Sequence, residues 1–255
     1  MTDNPGLNNK SYTNNEVVIN IEHLKETLGG YEILKDINLK VYRGESLIIL
    51  GKSGSGKSVT LKCIVGLMMP TSGKVNVLGK DVPNLSISEL QDLRKSIGFI
   101  FQSGALYDSM SVRENLEFPL VRHENLSSDE VENRIKEALA DVGLEESIDM
   151  MPSELSGGMR KRIGLARTLI LKPEIMLYDE PSTGLDPSTS REISNLILKM
   201  QEKLKVSSVI VTHDMECAKL TADRIVVLKD GVFTAEGSFD ELQKLDDEFV
   251  KGFFQ

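Results

Sequence analysis

Eight consecutive residues restrict this chain more than any others: Gly51-Lys52-Ser53-Gly54-Ser55-Gly56-Lys57-Ser58. They fit the pattern G-x-x-x-x-G-K-S. The short apolar run Ser46–Leu50 precedes them, and a stretch of helical character over 57–68 follows, stopping at Met69-Pro70 where proline blocks continuation. A glycine-rich turn between a strand and a helix is, physically, a phosphate site. The glycines let the backbone wrap closely around phosphate oxygens, and the amides and helix N-terminus aim partial positive charge at them. In such a loop Lys57 is suited to reach β- and γ-phosphates, and the Ser58 hydroxyl is suited to Mg²⁺. The loop alone leaves kinases, GTPases and many ATPases open.

The rest of the chain supplies the sheet that such a loop needs. Apolar residues alternate at Val17, Ile19, Ile21 and again at Ile37, Leu39, Val41, which predicts strands with one buried face. Residues 74–78 alternate and turn at Gly79, residues 86–95 read as helix, and residues 97–101 as strand. From about 104 to 167 the pattern turns helical, at 112–116, 128–142 and 158–171, so this segment is expected to be a helical insertion. Apolar runs at 175–178, 208–211 and 225–228 follow, with a helix over about 188–205 between the first two. Strands alternating with helices predict an α/β fold with a mainly parallel sheet. Ser238 with Glu241 is a capping-box pattern for a last helix. The expected organisation is a disordered polar tail over 1–15, one domain over 16–237 and a helical extension over 238–255.

Two further clusters carry chemistry. The run Ile175-Met176-Leu177-Tyr178 delivers Asp179 and Glu180 to the carboxyl end of a strand, where open α/β sheets bind ligands. Asp179 is suited to hold Mg²⁺ through water, and Glu180 to orient or deprotonate an attacking water. Leu155-Ser156-Gly157-Gly158-Met159 opens a predicted helix. A serine and two glycines there serve as a cap, and they also form a second phosphate site of the same physical kind as the first.

Together with Gln102, the loop from Ser182 to Asp186, and His213, these motifs closely resemble, in order, the nucleotide-binding subunits of ABC transporters. The resemblance covers nearly the whole chain. It implies the ABC type of P-loop NTPase fold, with an N-terminal antiparallel β subdomain beside the mainly parallel sheet. It implies ATP and Mg²⁺ as cofactors and a homodimer closing head to tail on two ATP. The loop from Gly51 to Ser58, with Val59, would hold ATP in one subunit. Ser156, Gly157, Gly158 and Met159 of the other subunit would cover it. Glu180, His213 and Gln102 would be catalytic, with Ser58, Gln102 and Asp179 at the metal. Asp186 would link the two sites. The family pattern places the adenine-stacking residue at Leu28, which lacks an aromatic ring; Tyr31 is the alternative.

Residues 102–110, 151–155 and 176–181 resemble more narrowly the ATPases of MCE/Mla-type lipid transporters of bacterial envelopes and plastids. That likeness implies integral permease subunits docking near residues 102–110 and an MCE-domain lipid-binding protein. It places the chain on the cytoplasmic face of the inner membrane. The competing reading is an ABC ATPase without a membrane partner, such as an iron–sulfur cluster assembly ATPase.

Composition agrees with a peripheral role. The longest apolar runs, such as residues 64–69, are far shorter than the ~20 residues that span a bilayer, so any membrane role needs a partner. A net charge of −9 offers no basic footprint for nucleic acid. Cys63 and Cys217 alone form neither a disulfide framework nor a metal cluster, and read as reduced core thiols.

Overall fold

The computed structural model describes residues 16–102, 104 and 106–254. The tail expected over 1–15 therefore lies outside the described residues. Along the chain run β1 (Val17–Leu28), β2 (Tyr31–Tyr42), β3 (Ser46–Leu50), α1 (Lys57–Ile64), β4 (Ser72–Val77), β5 (Lys80–Asp81), α2 (Ile87–Lys95) and β6 (Ile97–Ile100). Then follow α3 (Val112–His123), α4 (Ser128–Val142), α5 (Gly157–Leu169), β7 (Ile175–Asp179), α6 (Pro187–Leu204) and β8 (Ser207–Thr212). The last elements are α7 (Met215–Thr221), β9 (Arg224–Lys229), β10 (Val232–Gly237), α8 (Phe239–Lys244) and α9 (Glu248–Lys251).

Two sheets form among the described residues. One is antiparallel, in the order β2-β1-β4-β5. The other has the order β10-β9-β3-β8-β7-β6, parallel except for the antiparallel edge strand β10. Burial explains the division. Every residue of β3 and β8 is buried, as expected of central parallel strands covered on both faces, whereas β1 alternates and β10 is half exposed. One core cluster lies between the antiparallel sheet, α1, α2 and one face of the parallel sheet. A second covers the opposite face under α5, α6 and α8. A third joins α3, α4 and α5 into a helical layer.

The sheets are tied together by Arg224 on β9. Its guanidinium donates to Glu45 at 2.6 Å, to Glu236 at 2.7 Å and to the Lys40 carbonyl of β2 at 2.5 Å. Burial works against its charge, but the two carboxylates more than offset this and hold Arg224 above its ordinary pKa.

Two helix ends differ from the sequence expectation. The helix after the glycine loop stops at Ile64 rather than near 68, because Gly66 takes a left-handed conformation (φ 66°) pressed against Leu90. α3 runs on through Pro119 to His123 instead of fading at 116. Proline costs α3 a backbone hydrogen bond, yet Leu116 and Leu120 lie fully buried in the helical core on either side of it.

Candidate functional site

The register of three neighbouring strands builds the site. Leu50 of β3 pairs with Thr212 of β8, and Val211 of β8 pairs with Asp179 of β7. The chain therefore leaves all three strands at one level. Gly51, Glu180 and His213, which are distant in sequence, emerge together at the carboxyl edge of the sheet.

The glycine loop is shaped by close approach. A Cβ on Gly51 would lie 2.5 Å from the Ser55 hydroxyl and 2.8 Å from the Leu228 carbonyl. Gly56 sits at φ 104° with Leu34 2.7 Å from the position of an added Cβ. Lys57, almost wholly buried, curls back over the loop and donates to the carbonyls of Gly51 (2.8 Å) and Lys52 (3.2 Å). Its ammonium lies 3.5 Å from a Glu180 oxygen. Ser58 donates to Asp179 at 2.6 Å.

Glu180 is held in a left-handed conformation (φ 52°), which is costly for a residue with a Cβ. Its amide donates to the Val211 carbonyl. Its carboxylate accepts from the Thr183 hydroxyl at 3.1 Å and lies 2.8 Å from His213 Nδ1. His213 is more than half exposed, while Glu180 is 13% exposed. From α5, the buried Lys161 donates to the carbonyls of Pro181 and Thr183, pinning the loop after Glu180. Burial lowers the Lys161 pKa, and Glu180 partly opposes this. Ser182 donates to Asp214, the N-cap of α7, so the loop is fastened at both sides.

Several of these groups border one cavity of about 690 Å³. Lys52, Ser53, Gly54, Gly56, Lys57, Ser58 and Val59 border it, as do Gln102, Glu180, Thr183, His213 and Leu28. Of the two candidates for the base, Leu28 lines the cavity, whereas Tyr31 does not and is 76% exposed. The pair stand opposite each other across the tight Gly29-Gly30 turn, and the cavity takes in Ile33 instead, two residues along the same face of β2.

Ser156, Gly157, Gly158 and Met159 lie elsewhere. Ser156 caps α5, accepting from the Met159 amide. A Cβ on Gly158 would lie 2.6 Å from Thr189 at the start of α6. Thr189 donates in turn to Asp186, the α6 N-cap. Hydrogen bonds from Ser188 and Thr189 hold the Asp186 carboxyl well below its usual range. The second phosphate-type turn and Asp186 are thus linked through Thr189, and neither is among the residues that border the cavity of their own chain.

The donor set suits a nucleotide with Mg²⁺. The ammonium, loop amides and helix start meet anionic oxygen, and the Ser58 hydroxyl with the Asp179 carboxylate are hard oxygen ligands. The buried Ser55 hydroxyl, facing Gly51, has no partner among the described residues. The sequence had not marked Thr183 or Ile33. Thr183 lies inside the 182–186 loop that had been singled out, but only the fold turns its hydroxyl to Glu180.

Comparison with known proteins gives a consistent result. The ABC transporter family model matches residues 34–183, more than half of the chain. The chain is 37% identical over 242 residues to the intermembrane phospholipid transport system ATP-binding protein MlaF of Haemophilus influenzae, covering 93% of this chain and 92% of that protein. It is 38% identical to the probable ribonucleotide transport ATP-binding protein mkl of Mycobacterium tuberculosis (93% of this chain, 66% of the relative). It is equally 38% identical to the methionine import ATP-binding protein MetN of Clostridium acetobutylicum (88% and 70%). Among solved structures, a dimeric post-hydrolysis state of the ATP-binding cassette MJ0796 bound to ADP and Pi aligns with a TM-score of 0.79 at 34% identity, covering 87% of this chain and 98% of that one. The cassette cbiO1 of Clostridium perfringens aligns with a TM-score of 0.82 at 31% identity, covering 94% and 98%.

Proposed function

Because the chain belongs to the ABC transporter ATP-binding family and is an ATPase subunit of a transporter, we propose that its cavity is one half of a composite ATP site and that its cargo is lipid. The observation that carries the first part is the separation of two phosphate-type turns within one chain. The loop from Gly51 to Ser58 borders the cavity, and Ser156, Gly157 and Gly158 are not among the residues that do. A second copy, turned head to tail, brings each signature turn over the other's loop. Solved relatives include dimers of such cassettes.

Within that site Lys57 neutralises the phosphates, freed from its carbonyl partners to do so. Ser58, Asp179 and Gln102 would hold Mg²⁺, which would supply positive charge beside the phosphates. Glu180 orients and deprotonates water. His213 fixes one Glu180 oxygen and reaches the γ-phosphate from the exposed side. Thr183 and Lys161 keep the Glu180 loop rigid, as a base must be held to within a fraction of an ångström.

The lipid reading rests on the likeness to MlaF and on residues 102–110 with their surroundings. Leu106 is partly buried against the helical core. The exposed apolar surface is formed instead by Tyr107, Phe118 and Val121, beside a groove bordered by Met110, Glu114, Glu117 and Arg122. An apolar groove with a charged rim suits a permease helix. Among the described residues no helix is long and apolar enough to cross a membrane, so attachment to the cytoplasmic face would run through that partner. The test is purification of the complex from solubilised membranes, followed by mass spectrometry. Phospholipid or sterol-like lipid in an associated MCE-domain protein supports the reading. A soluble binding protein for methionine or another small solute refutes it. Val121→Asp should release the permease while ATP binding persists.

A further inference from the structure

The ATP cavity is bordered by polar and by apolar residues from different parts of the chain. Lys57, Ser58, Gln102, Glu180 and His213 are among the polar ones. Leu28, Ile33 and Phe253, the last preceded by Gly252, supply apolar surface to the same cavity. Phe253 is the one phenylalanine, tyrosine or tryptophan among the described residues that border the cavity, since Tyr31 stands outside it. It follows α9, more than two hundred residues along the chain from Leu28, and nothing in the nucleotide-binding motifs points to it.

The position of Phe253 is fixed from behind. Its amide donates to the Val250 carbonyl, and Val250 is buried in the core under α8. Its ring packs edge to face on Phe249, with centroids 5.4 Å apart. Phe249 is in turn held by two ammonium groups, Lys52 of the phosphate loop at 5.3 Å and Lys229 at the end of β9 at 4.7 Å. Phe254 packs on Phe239 of α8 at 5.2 Å. The segment after α9 is thus anchored on both sides of Phe253 and tied to the phosphate loop itself.

A flat heteroaromatic ring is bound best by an aromatic face or edge at van der Waals distance, with aliphatic groups filling the opposite side. From this we infer that Phe253 is the aromatic wall of the base subsite, a substrate-binding residue that recognises the purine while Leu28 and Ile33 pack against it. This deepens the ATP reading above and rests on it. Phosphate recognition and base recognition are then separable, because different side chains of the cavity carry them.

Isothermal titration of the full-length chain with ATP and with inorganic tripolyphosphate separates them. Phe253→Ala should weaken ATP about two- to tenfold, the range of an aromatic contact, and leave tripolyphosphate unchanged. Phe253→Trp should restore ATP affinity. Phe253→Leu preserves apolar volume without a ring and should behave like the alanine variant, which covers the case that alanine loosens the fold. Unchanged ATP affinity in both Phe253→Ala and Phe253→Leu overturns the inference and leaves the ATP reading standing. Equal weakening of ATP and tripolyphosphate also overturns it, because the effect would then pass through Phe249 and Lys52 to the loop. Wild-type protein that binds neither ligand overturns both.

Discussion

Glu180→Gln isolates the charge of the candidate base from its shape. The side chain is nearly buried, held by Thr183 and His213 and facing Lys57. Glutamine keeps one oxygen to accept from Thr183 and places an amide where the second carboxylate oxygen was. The structural cost is at most one or two hydrogen bonds, each about 0.5–1.5 kcal/mol. Lys57 retains its two carbonyl partners, so the loop is not left with an unsatisfied buried cation. The chemical cost is larger. A positioned general base contributes about 10²–10⁴-fold, or about 2.7–5.4 kcal/mol in activation free energy. The variant should bind ATP with affinity close to wild type, melt within a few degrees of it, release phosphate at least a hundredfold more slowly, and accumulate as an ATP-bound dimer on size exclusion. Phosphate release within threefold of wild type would refute the role assigned to Glu180, and loss of ATP binding would show that its charge serves the loop instead.

Ser156→Arg should leave ATP binding to the single chain intact yet abolish hydrolysis, because Ser156 lies away from its own cavity. Mixing it with Lys57→Ala should recover one working composite site, and normal turnover by Ser156→Arg alone would rule out the head-to-tail arrangement. Arg224→Met leaves the buried Glu45 carboxylate without its main partner and should cost about 3–5 kcal/mol in urea unfolding, whereas a loss under 1 kcal/mol would show that the linkage between the sheets lies elsewhere. Burial pushes the Cys63 thiol up to about 12 and the Cys217 thiol up to about 11. At pH 8 their thiolate fractions are then ~10⁻⁴ and ~10⁻³, against about a quarter for a free cysteine. Ellman's reagent should therefore label them only on unfolding, and rapid labelling of the folded chain would contradict their burial.

Local sequence was sufficient wherever chemistry depends on contiguous residues. The phosphate loop needs glycines, a lysine and a hydroxyl in fixed succession, so it was readable from residues 51–58. The capping box at Ser238 was readable for the same reason, because Ser and Glu three apart satisfy each other's backbone amides. The acidic pair at Asp179-Glu180 and the turn at Ser156 were legible as motifs, and the family likeness supplied their expected roles. What the sequence could not set is which of these meet. The alignment of Leu50, Thr212 and Asp179 is a consequence of strand order and register, which depend on long-range pairing. The same holds for Leu28 rather than Tyr31 bordering the cavity, for the Thr183 bond to Glu180, and for Leu106 packing partly against the helical core. Phe253 is the extreme case. An aromatic residue late in a chain carries no local signal, and it becomes part of the cavity only because α9 packs its buried Val250 into the core and turns the following residues toward the phosphate loop.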